Sequence, residues 1–417
     1  MSAIQQLALL DGDPIRNTEL PAYNTIGSTE IEAALDVLKT GVLSGFVATP
    51  GPYFLGGRWV LELEQMFCER FGCRYAVSVN SATSGLHAAL AAAGIGPGDE
   101  VIVSPYSMAA SATTIVMCGA VPVFVDVEPD TFCMDVNQVA SSVTSRTKAI
   151  MGVNIFGQPA ELASLRDLAD SHGLFLVEDN AQAPAAQYHG QWTGTIGDMG
   201  VFSLNRHKTM QCGEGGVVVT NNELFAHRLR MVRNHGEAVL PEWDDDSLKS
   251  GNEDIVGFNY RLTELQASIA KPQLMRLDAL NKVRIQLADY LTEQLSEFSF
   301  LHAPKIRKGC SHVYYLYPMI YDPEVLGVSR DRFIEAMRAE GMPIANYVRP
   351  LYHIPLYKNR YGELDCYKPE NFPVVEELWK HTILVTSICR PPLEHSHIDE
   401  FLAAIRKIMN NSSKLRY

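Results

Sequence analysis

A chain of 417 residues is too long for one ordinary hydrophobic core, so two domains are expected. Hydrophobic residues make up 47% of the chain and charged residues 20%, which is typical of a soluble globular protein of enzyme size. The formal net charge of -13 argues against nucleic acid or an anionic membrane as a partner, and no apolar run reaches the ~20 residues that span a bilayer.

The N-terminal segment and the cysteines favour a cytoplasmic location. Residues 1–19, MSAIQQLALLDGDPIRNTE, lack the basic region and the long apolar region of a signal peptide. The eight cysteines are scattered, with no CxxC pair and no Cys/His cluster at zinc spacing. We therefore expect reduced thiols and no metal site. His395 and His397, in LEHSHIDE, are interpreted as residues of a solvated loop.

The first predicted elements are two helices. Residues 28–41 place Ile31, Leu35 and Leu38 at helical spacing, with Ser28 as a possible cap and Gly41 at the end. Residues 56–72 repeat apolar side chains in the same way and are predicted to form a second amphipathic helix.

Short apolar runs then alternate with helical segments, which indicates an α/β fold. Two of the predicted helices are 84–94 and 161–173. Runs that are apolar on both faces and separated by helices form parallel sheets buried on both sides. The predicted strands are 75–80, 100–105, 122–127, 149–156, 174–179, 200–204 and 216–220.

The C-terminal part of the chain has a different pattern. A helix over 223–236 is followed by an acidic loop, 241–254, and by a long helical stretch, 263–298, that is predicted to break near Pro272. Residues 299–417 mix short strands and helices, which is typical of a smaller α+β domain.

Polar residues follow three predicted strands, and ligands of an open parallel sheet bind at the carboxyl ends of its strands. In VSVNSATSGLHAAL, residues 80–84 open a helix whose free N–H groups favour a phosphate, although serine and threonine there often only cap. In LFLVEDNAQAP, Glu178 and Asp179 are candidates for catalysis, with a helix cap or surface ion pair as the alternative.

The third strand end, GVFSLNRHK, carries Ser203 and Lys208. A phosphate seat, an acid, a hydroxyl and a lysine at one sheet edge fit pyridoxal 5'-phosphate (PLP). Its aldehyde forms a Schiff base with a lysine, and its pyridine nitrogen requires a carboxylate. No Walker motif and no GxGxxG after a strand is present, which weighs against a nucleotide cofactor.

From about residue 15 onward the chain resembles the DegT/DnrJ/EryC1/StrS family of PLP-dependent aminotransferases, which act on keto-sugars and related cyclic ketones. The motifs that carry the resemblance are SATSGLHAAL, GIGPGDEVIVSP, GAVPVFVDVEPDT, RTKAIMGVNIFGQPA, VEDNAQAPAAQYHG, GTIGDMGVFSLNRHK, GEGGVVVT and GFNYRLTELQAS. The resemblance implies PLP-transferase fold type I, the aspartate-aminotransferase-like fold, with a large, mixed and mostly parallel sheet. The implied division is an N-terminal segment and large PLP-binding domain over 1–270 and a smaller α+β domain over 271–417.

The resemblance also implies the roles of individual residues. Lys208 matches the Schiff-base lysine and general acid/base, and Asp179 matches the partner of the pyridinium nitrogen. Gln182 matches the hydrogen-bond partner of the ring hydroxyl. Asn259, in GFNYR, matches an asparagine that reaches the phosphate from the neighbouring subunit of a homodimer with shared active sites. The positions that match the phosphate seat are Ala82, Thr83 and Ser203.

One position departs from the family pattern. The family often places an aromatic residue on the cofactor ring where SPYSMAAS has Met108. A thioether can pack on a ring face, so Met108 is the predicted stacking residue, with Tyr106 nearby as the alternative.

The predicted activity is transfer of an amino group from glutamate or glutamine to a keto-sugar, keto-cyclitol or related cyclic ketone, including antibiotic precursors. Two alternatives stay open: a sugar dehydratase that uses pyridoxamine phosphate, in which histidine typically replaces Lys208, and a non-catalytic PLP-binding regulator. A nucleotide-linked acceptor would be expected to contact Arg349, Tyr352 and His353, which ordinary packing explains equally well.

Overall fold

The computed structural model describes residues 5–49, 51–236, 255–364 and 367–415. The predicted acidic loop 241–254 lies outside the described residues. Within the described ranges, no helix has both the length and the apolar character that crossing a bilayer requires.

A seven-stranded sheet forms the centre of the larger part of the chain. Its strands lie in the order β1-β9-β8-β5-β4-β2-β3, and β9 alone runs antiparallel to its neighbours. This arrangement confirms the predicted α/β class with a mixed, mostly parallel sheet. The strands up to β9 are β1 (Tyr75–Val79), β2 (Glu100–Val103), β3 (Val121–Phe124), β4 (Thr147–Val153), β5 (Phe175–Asp179), the two-residue hairpin strands β6 (Gln187–Tyr188) and β7 (Gln191–Trp192), β8 (Met199–Ser203) and β9 (Gly216–Thr220).

Helices cover the sheet and connect its strands. The described helices are α1 (Ser28–Thr40), α2 (Arg58–Phe71), α3 (Ala82–Ala92), α4 (Ala109–Met117), α5 (Val136–Ser141), α6 (Leu162–His172), α7 (Glu223–Arg233), α8 (Glu264–Met275), α9 (Leu277–Leu295), α10 (Pro323–Leu326), α11 (Arg330–Ala339), α12 (Pro355–Tyr361), α13 (Pro373–Glu377) and α14 (His395–Asn410). His395 and His397 therefore lie in the first turn of α14, and the prediction that they belong to a loop was wrong.

Helix α1 confirms the predicted helix, but its apolar stripe does not face the core. Ile31, Leu35 and Leu38 are 55%, 46% and 51% exposed. Glu30 is buried instead, because its carboxylate accepts a hydrogen bond from Gln273 at 2.9 Å and pairs with the guanidinium of Arg276. The polar partners select the buried face, and the apolar stripe of α1 is left uncovered in the single chain.

The long helical stretch breaks later than its proline suggested. Pro272 lies inside α8, and the break between α8 and α9 falls at Arg276, where φ is -98° and ψ is 3°. Pro272 lacks the N–H that would bond to the carbonyl of the residue four positions earlier, which weakens the last turn of α8.

A second, four-stranded antiparallel sheet organises the C-terminal part. Its order is β10-β11-β13-β12. The hydrophobic cluster around it also contains Leu7, so the N-terminal segment packs against the C-terminal core. The predicted domain boundary between residues 270 and 271 stays a prediction. The strands are β10 (Leu301–His302), β11 (Tyr317–Tyr321), β12 (Ile344–Ala345) and β13 (Ile383–Thr386).

Candidate active site

The registers of the large sheet bring the predicted site residues to one edge. The last residue of β5, Asp179, lies opposite Val153 at the end of β4. Gly216, the first residue of the antiparallel strand β9, lies opposite Val79 on one side and Ser203 on the other. The carboxyl ends of β1, β5 and β8 therefore meet at the sheet edge where α/β folds bind ligands.

The start of α3 forms an anion seat. Ser81 caps the helix, and its Oγ accepts a hydrogen bond from Ser84 N at 3.0 Å. The N–H groups of Ala82 and Thr83 belong to the first helical turn and have no intrahelical acceptor. A side chain at Gly216 would place its Cβ 2.8 Å from Ala82 N, so glycine keeps this cradle open. The geometry suits a phosphate group.

The two neighbouring carboxylates of β5 have different tasks. Asp179 is buried, and its Oδ2 accepts a hydrogen bond from Ser111 Oγ at 2.7 Å. Glu178 instead accepts the backbone N–H groups of Gly194, Ile196 and Gly197 at 2.7–2.8 Å, and so holds that loop in place. Burial raises the pKa of Glu178. Only Asp179 keeps oxygen capacity for a ligand at the sheet edge.

Lys208 lies in the turn between β8 and β9. Tyr23 fixes this turn, because its hydroxyl donates to the carbonyls of Lys208 and Thr209 at 3.0 and 2.9 Å. The Nζ atom of Lys208 is 4.3 Å from the centroid of the Tyr315 ring. Burial lowers the pKa of Lys208 from 10.5 to about 8, and the negative charge of Asp179 opposes this shift. The ε-amine is therefore neutral far more often near pH 7 than an exposed lysine, as a nucleophile requires.

Gln182 lies beside a group of buried rings. Its Oε1 accepts a hydrogen bond from Phe156 N at 2.8 Å, and its Nε2 donates to Tyr347 Oη at 3.4 Å. Burial raises the pKa of Tyr347. An amide nitrogen has two donor hydrogens, so Gln182 keeps one for a further acceptor.

The two candidates for ring stacking lie in different environments. Met108 is 59% exposed at the N-cap of α4. Tyr106 is fully buried, its ring lies 5.3 Å from the ring of Tyr347 at 86°, and its hydroxyl has no hydrogen-bond partner among the described residues. Stacking by Met108 stays a prediction.

The remaining predicted residues are Asn259, Arg349, Tyr352 and His353. The hydrogen bonds shown for them are made with residues other than Lys208. Asn259 is exposed, and its carbonyl accepts a hydrogen bond from Asn80 Nδ2 at 3.3 Å. Arg349 is exposed. The Tyr352 hydroxyl donates to Glu376 at 2.8 Å, and His353 Nε2 lies 2.6 Å from the same carboxylate. The structure thus engages Tyr352 and His353 in packing within the chain.

Several residues at the site had no recognisable signal in the sequence. Ser111 and Tyr347 contact Asp179 and Gln182 from distant segments, and Tyr23 and Tyr315 flank Lys208. Among the residues that the structure describes, no cluster of three or more His, Cys, Asp or Glu side chains is suited to a metal.

The residues present fit PLP. An anion seat, a fixed carboxylate and an amine of lowered pKa lie at one sheet edge, as the phosphate, pyridinium nitrogen and aldehyde of this cofactor require. The amide of Gln182 keeps a donor for the ring hydroxyl.

Comparison with known proteins gives extensive matches. Residues 30–406 match the sequence profile of the DegT/DnrJ/EryC1/StrS aminotransferase family. The spore coat polysaccharide biosynthesis protein SpsC of Bacillus subtilis is 31% identical over 401 residues, which cover 95% of this chain and 99% of SpsC. The solved structure of an aminotransferase from Psychrobacter cryohalolentis superposes with a TM-score of 0.83, 28% identity and coverage of 94% and 99%. The structure of DesI with its TDP-sugar product gives a TM-score of 0.83, 27% identity and coverage of 98% and 97%.

Proposed function

Because the chain belongs to the DegT/DnrJ/EryC1/StrS aminotransferase family and is a PLP-dependent aminotransferase of fold type I, we propose that it aminates a cyclic ketone of a biosynthetic pathway. The amino group comes from glutamate or glutamine, and the acceptor is a keto-sugar, a keto-cyclitol or a related cyclic ketone. The observation that carries the proposal is the amine of Lys208, with its lowered pKa, at the same sheet edge as Asp179 and the anion seat.

Each site residue has a task that follows from its surroundings. When bound, PLP supplies an electron sink for negative charge at the α-carbon of the amino donor. Lys208 holds the cofactor through its ε-amine and then moves a proton to and from that carbon as general base and acid. Asp179, oriented by Ser111, keeps the pyridine nitrogen protonated. The first-turn N–H groups of Ala82 and Thr83, together with Ser203, hold the phosphate.

Gln182 and the neighbouring rings complete the proposed cofactor site. Gln182 donates its free amide hydrogen to the ring hydroxyl, and Met108 packs against the ring as its stacking residue. Met108 is exposed in the single chain, so its side chain has room to pack against a bound ring.

A sugar acceptor is the first choice among the ketones. Two similar proteins support it: SpsC is named for polysaccharide biosynthesis, and DesI was solved with a TDP-sugar product. The dehydratase alternative is disfavoured, because Lys208 occupies the position typically taken by histidine, while the adjacent His207 is exposed. A non-catalytic PLP-binding regulator would hold the cofactor through the same lysine, and bleaching by an amino donor distinguishes the transferase from it.

We propose that the working form is a homodimer in which a second copy covers the apolar stripe of α1. The stripe, Ile31, Leu35 and Leu38, is exposed in the single chain, and the neighbouring Val42 and Leu43 are also 53% and 46% exposed. A contiguous apolar face of this kind marks an interaction surface. Asn259, which is exposed, then reaches the phosphate of the second copy. The described cysteines are free thiols, which supports a cytoplasmic location for the enzyme.

The proposal is tested by trapping and by a substrate screen. Borohydride reduction of the PLP-loaded protein should fix a pyridoxyl group on the peptide that contains Lys208, and the Lys208→Ala variant should carry none. Glutamate or glutamine should bleach the visible colour of the wild-type protein. The amine-loaded protein should then regain its colour with one of a panel of keto-sugars, free or TDP-linked, or keto-cyclitols. A protein that binds PLP but is bleached by no amino acid would refute the transferase proposal, and loss of oxygen from a sugar without use of a donor would establish the dehydratase.

A further inference from the structure

The amine of Lys208 lies over the face of an aromatic ring. Its Nζ atom is 4.3 Å from the centroid of the Tyr315 ring, and this ring is the contact that the structure shows for the amine. The face of a tyrosine ring carries partial negative charge, so it attracts an ammonium group much more strongly than a neutral amine. The ring therefore distinguishes between the two protonation states of Lys208.

The backbone that carries this ring has an unusual conformation. Tyr314, the residue before the ring, has a φ of 48°, and Phe156, in the neighbouring segment, has a φ of 57°. A left-handed backbone at a bulky side chain is strained, and it persists only where the surrounding contacts enforce it. Because strain of this kind gathers at functional sites, it points to a task for the segment that carries Tyr315.

Hydrogen bonds fix the two strained segments to each other and to the proposed cofactor site. Tyr315 N donates to the carbonyl of Phe156 at 2.8 Å, and Phe156 N donates to Gln182 Oε1 at 2.8 Å. A side chain at Gly157 would place its Cβ 2.8 Å from Tyr314 N, so glycine lets the segments lie this close. The Tyr315 ring is thus tied through Phe156 to Gln182, the proposed partner of the cofactor's ring hydroxyl.

We propose that the Tyr315 ring is a catalytic residue that receives the ammonium form of Lys208 during proton transfer. The inference rests on the proposed function, in which the neutral amine takes one proton from the α-carbon of the donor and becomes an ammonium. The amine becomes neutral again when it gives that proton up. Burial makes the charge of the ammonium costly. The ring face offsets part of this cost and keeps Nζ beside the proposed cofactor site.

Other titratable and charged side chains surround this pair. The negative charge of Asp179 favours the ammonium form of Lys208, whereas burial opposes it. The groups that face Lys208 or Tyr315 from the same turn and from neighbouring elements are Asp179, His207, Arg284, Tyr347 and Arg390. Because the variants of Tyr315 leave all of these groups in place, a difference between variants reports on the ring itself.

The pH dependence of Lys208 acetylation tests the contact without any substrate. Protein loaded with pyridoxamine phosphate, in which the lysine amine is free, is treated with acetic anhydride, and mass spectrometry follows the peptide that contains Lys208. Tyr315→Leu should lower the midpoint of the pH profile by about 0.5 to 1.5 pH units, the range expected for a lost cation–π contact. Tyr315→Phe keeps a ring face and should stay within about 0.2 pH units of the wild type. The control Tyr75→Leu, which removes a ring beside Arg74 at the opposite end of β1, should leave the midpoint unchanged.

Single-turnover bleaching by glutamate or glutamine then tests the catalytic role. Tyr315→Leu should bleach about 3- to 30-fold more slowly than the wild type, and Tyr315→Phe should recover the rate to within about 2-fold. Deuterium at the α-carbon of the donor should slow Tyr315→Leu at least as much as the wild type, because proton transfer is the step affected.

Three results would overturn the proposal. The first is an unchanged acetylation midpoint in Tyr315→Leu, and the second is an equal loss in Tyr315→Phe, which would assign the effect to the hydroxyl. The third is a shifted midpoint with unchanged bleaching, which would leave the ring a packing role only. If no amino acid bleaches the wild type, the proposed function fails, while the acetylation profile still reports on the contact between Lys208 and Tyr315.

Discussion

Replacing Lys208 by methionine should make the cofactor-free protein more stable at neutral pH while abolishing its activity. Burial holds the pKa of Lys208 at about 8 in the folded chain, against 10.5 for an unperturbed lysine. The unfolded chain therefore binds more protons than the folded chain between these two values. Protonation of the buried amine therefore lowers the free energy of unfolding of the wild type. This penalty is fully present below pH 8 and disappears as the pH rises towards 10.5.

The size of the effect follows from the two pKa values. At about 1.36 kcal/mol per pH unit, the penalty is about 3 kcal/mol at pH 7 and about 1.4 kcal/mol at pH 9.5. The methionine of Lys208→Met cannot be protonated. The free energy of unfolding of this variant should therefore exceed that of the wild type by up to these amounts. Methionine fills a similar volume, so packing should contribute a constant that does not depend on pH.

The assay is urea unfolding of both cofactor-free proteins at one protein concentration, at pH 7 and at pH 9.5. Lys39→Met serves as the control, because the Lys39 side chain is 73% exposed. An advantage of Lys208→Met that is absent at pH 7, or that does not shrink by about 2 kcal/mol at pH 9.5, would refute the lowered pKa of Lys208 and with it the argument for a neutral amine.

Three further variants test the surroundings of the site. Ser111→Ala should slow the donor half-reaction about 10-fold in stopped-flow measurements, because Asp179 loses a hydrogen bond to a charged group; an unchanged rate would contradict this role. Glu178→Gln should lower the free energy of unfolding by ~2–4 kcal/mol in urea, since three backbone N–H groups lose a charged acceptor, and a loss below ~0.5 kcal/mol would rule this out. Leu35→Glu should convert the dimer to monomers in sedimentation velocity, whereas Val325→Glu, at an equally exposed site, should not; a dimer that survives Leu35→Glu would place the interface elsewhere.

Much of the seven-stranded sheet was predictable because its signals are local. A run of apolar residues between helices indicates a strand buried on both faces. The carboxyl end of such a strand in a parallel sheet indicates the edge where ligands bind. Asp179 and Ser203 were placed at that edge by these rules, and the registers of β5 and β8 agree. The order of the motifs was enough to identify the family.

Helix α1 shows what local signals leave open. Its apolar stripe had the spacing of a core-facing helix, but burial of Glu30 against Gln273 and Arg276 turned that stripe outward. The spacing identifies the apolar face of a helix but does not tell what covers that face, because a subunit interface and a core use the same apolar side chains.

The sequence by itself determined the fold class and the family, and it led to the lysine and carboxylate proposed for the active site, because these depend on short patterns along the chain. Only the tertiary structure decided which distant residues act on them. Tyr23 and Tyr315 contact Lys208, and Ser111 donates a hydrogen bond to Asp179. Arg284 and Arg390 both lie against the ring of Tyr23. Such contacts join residues far apart in the chain, and they are fixed by packing of whole elements that no local pattern encodes.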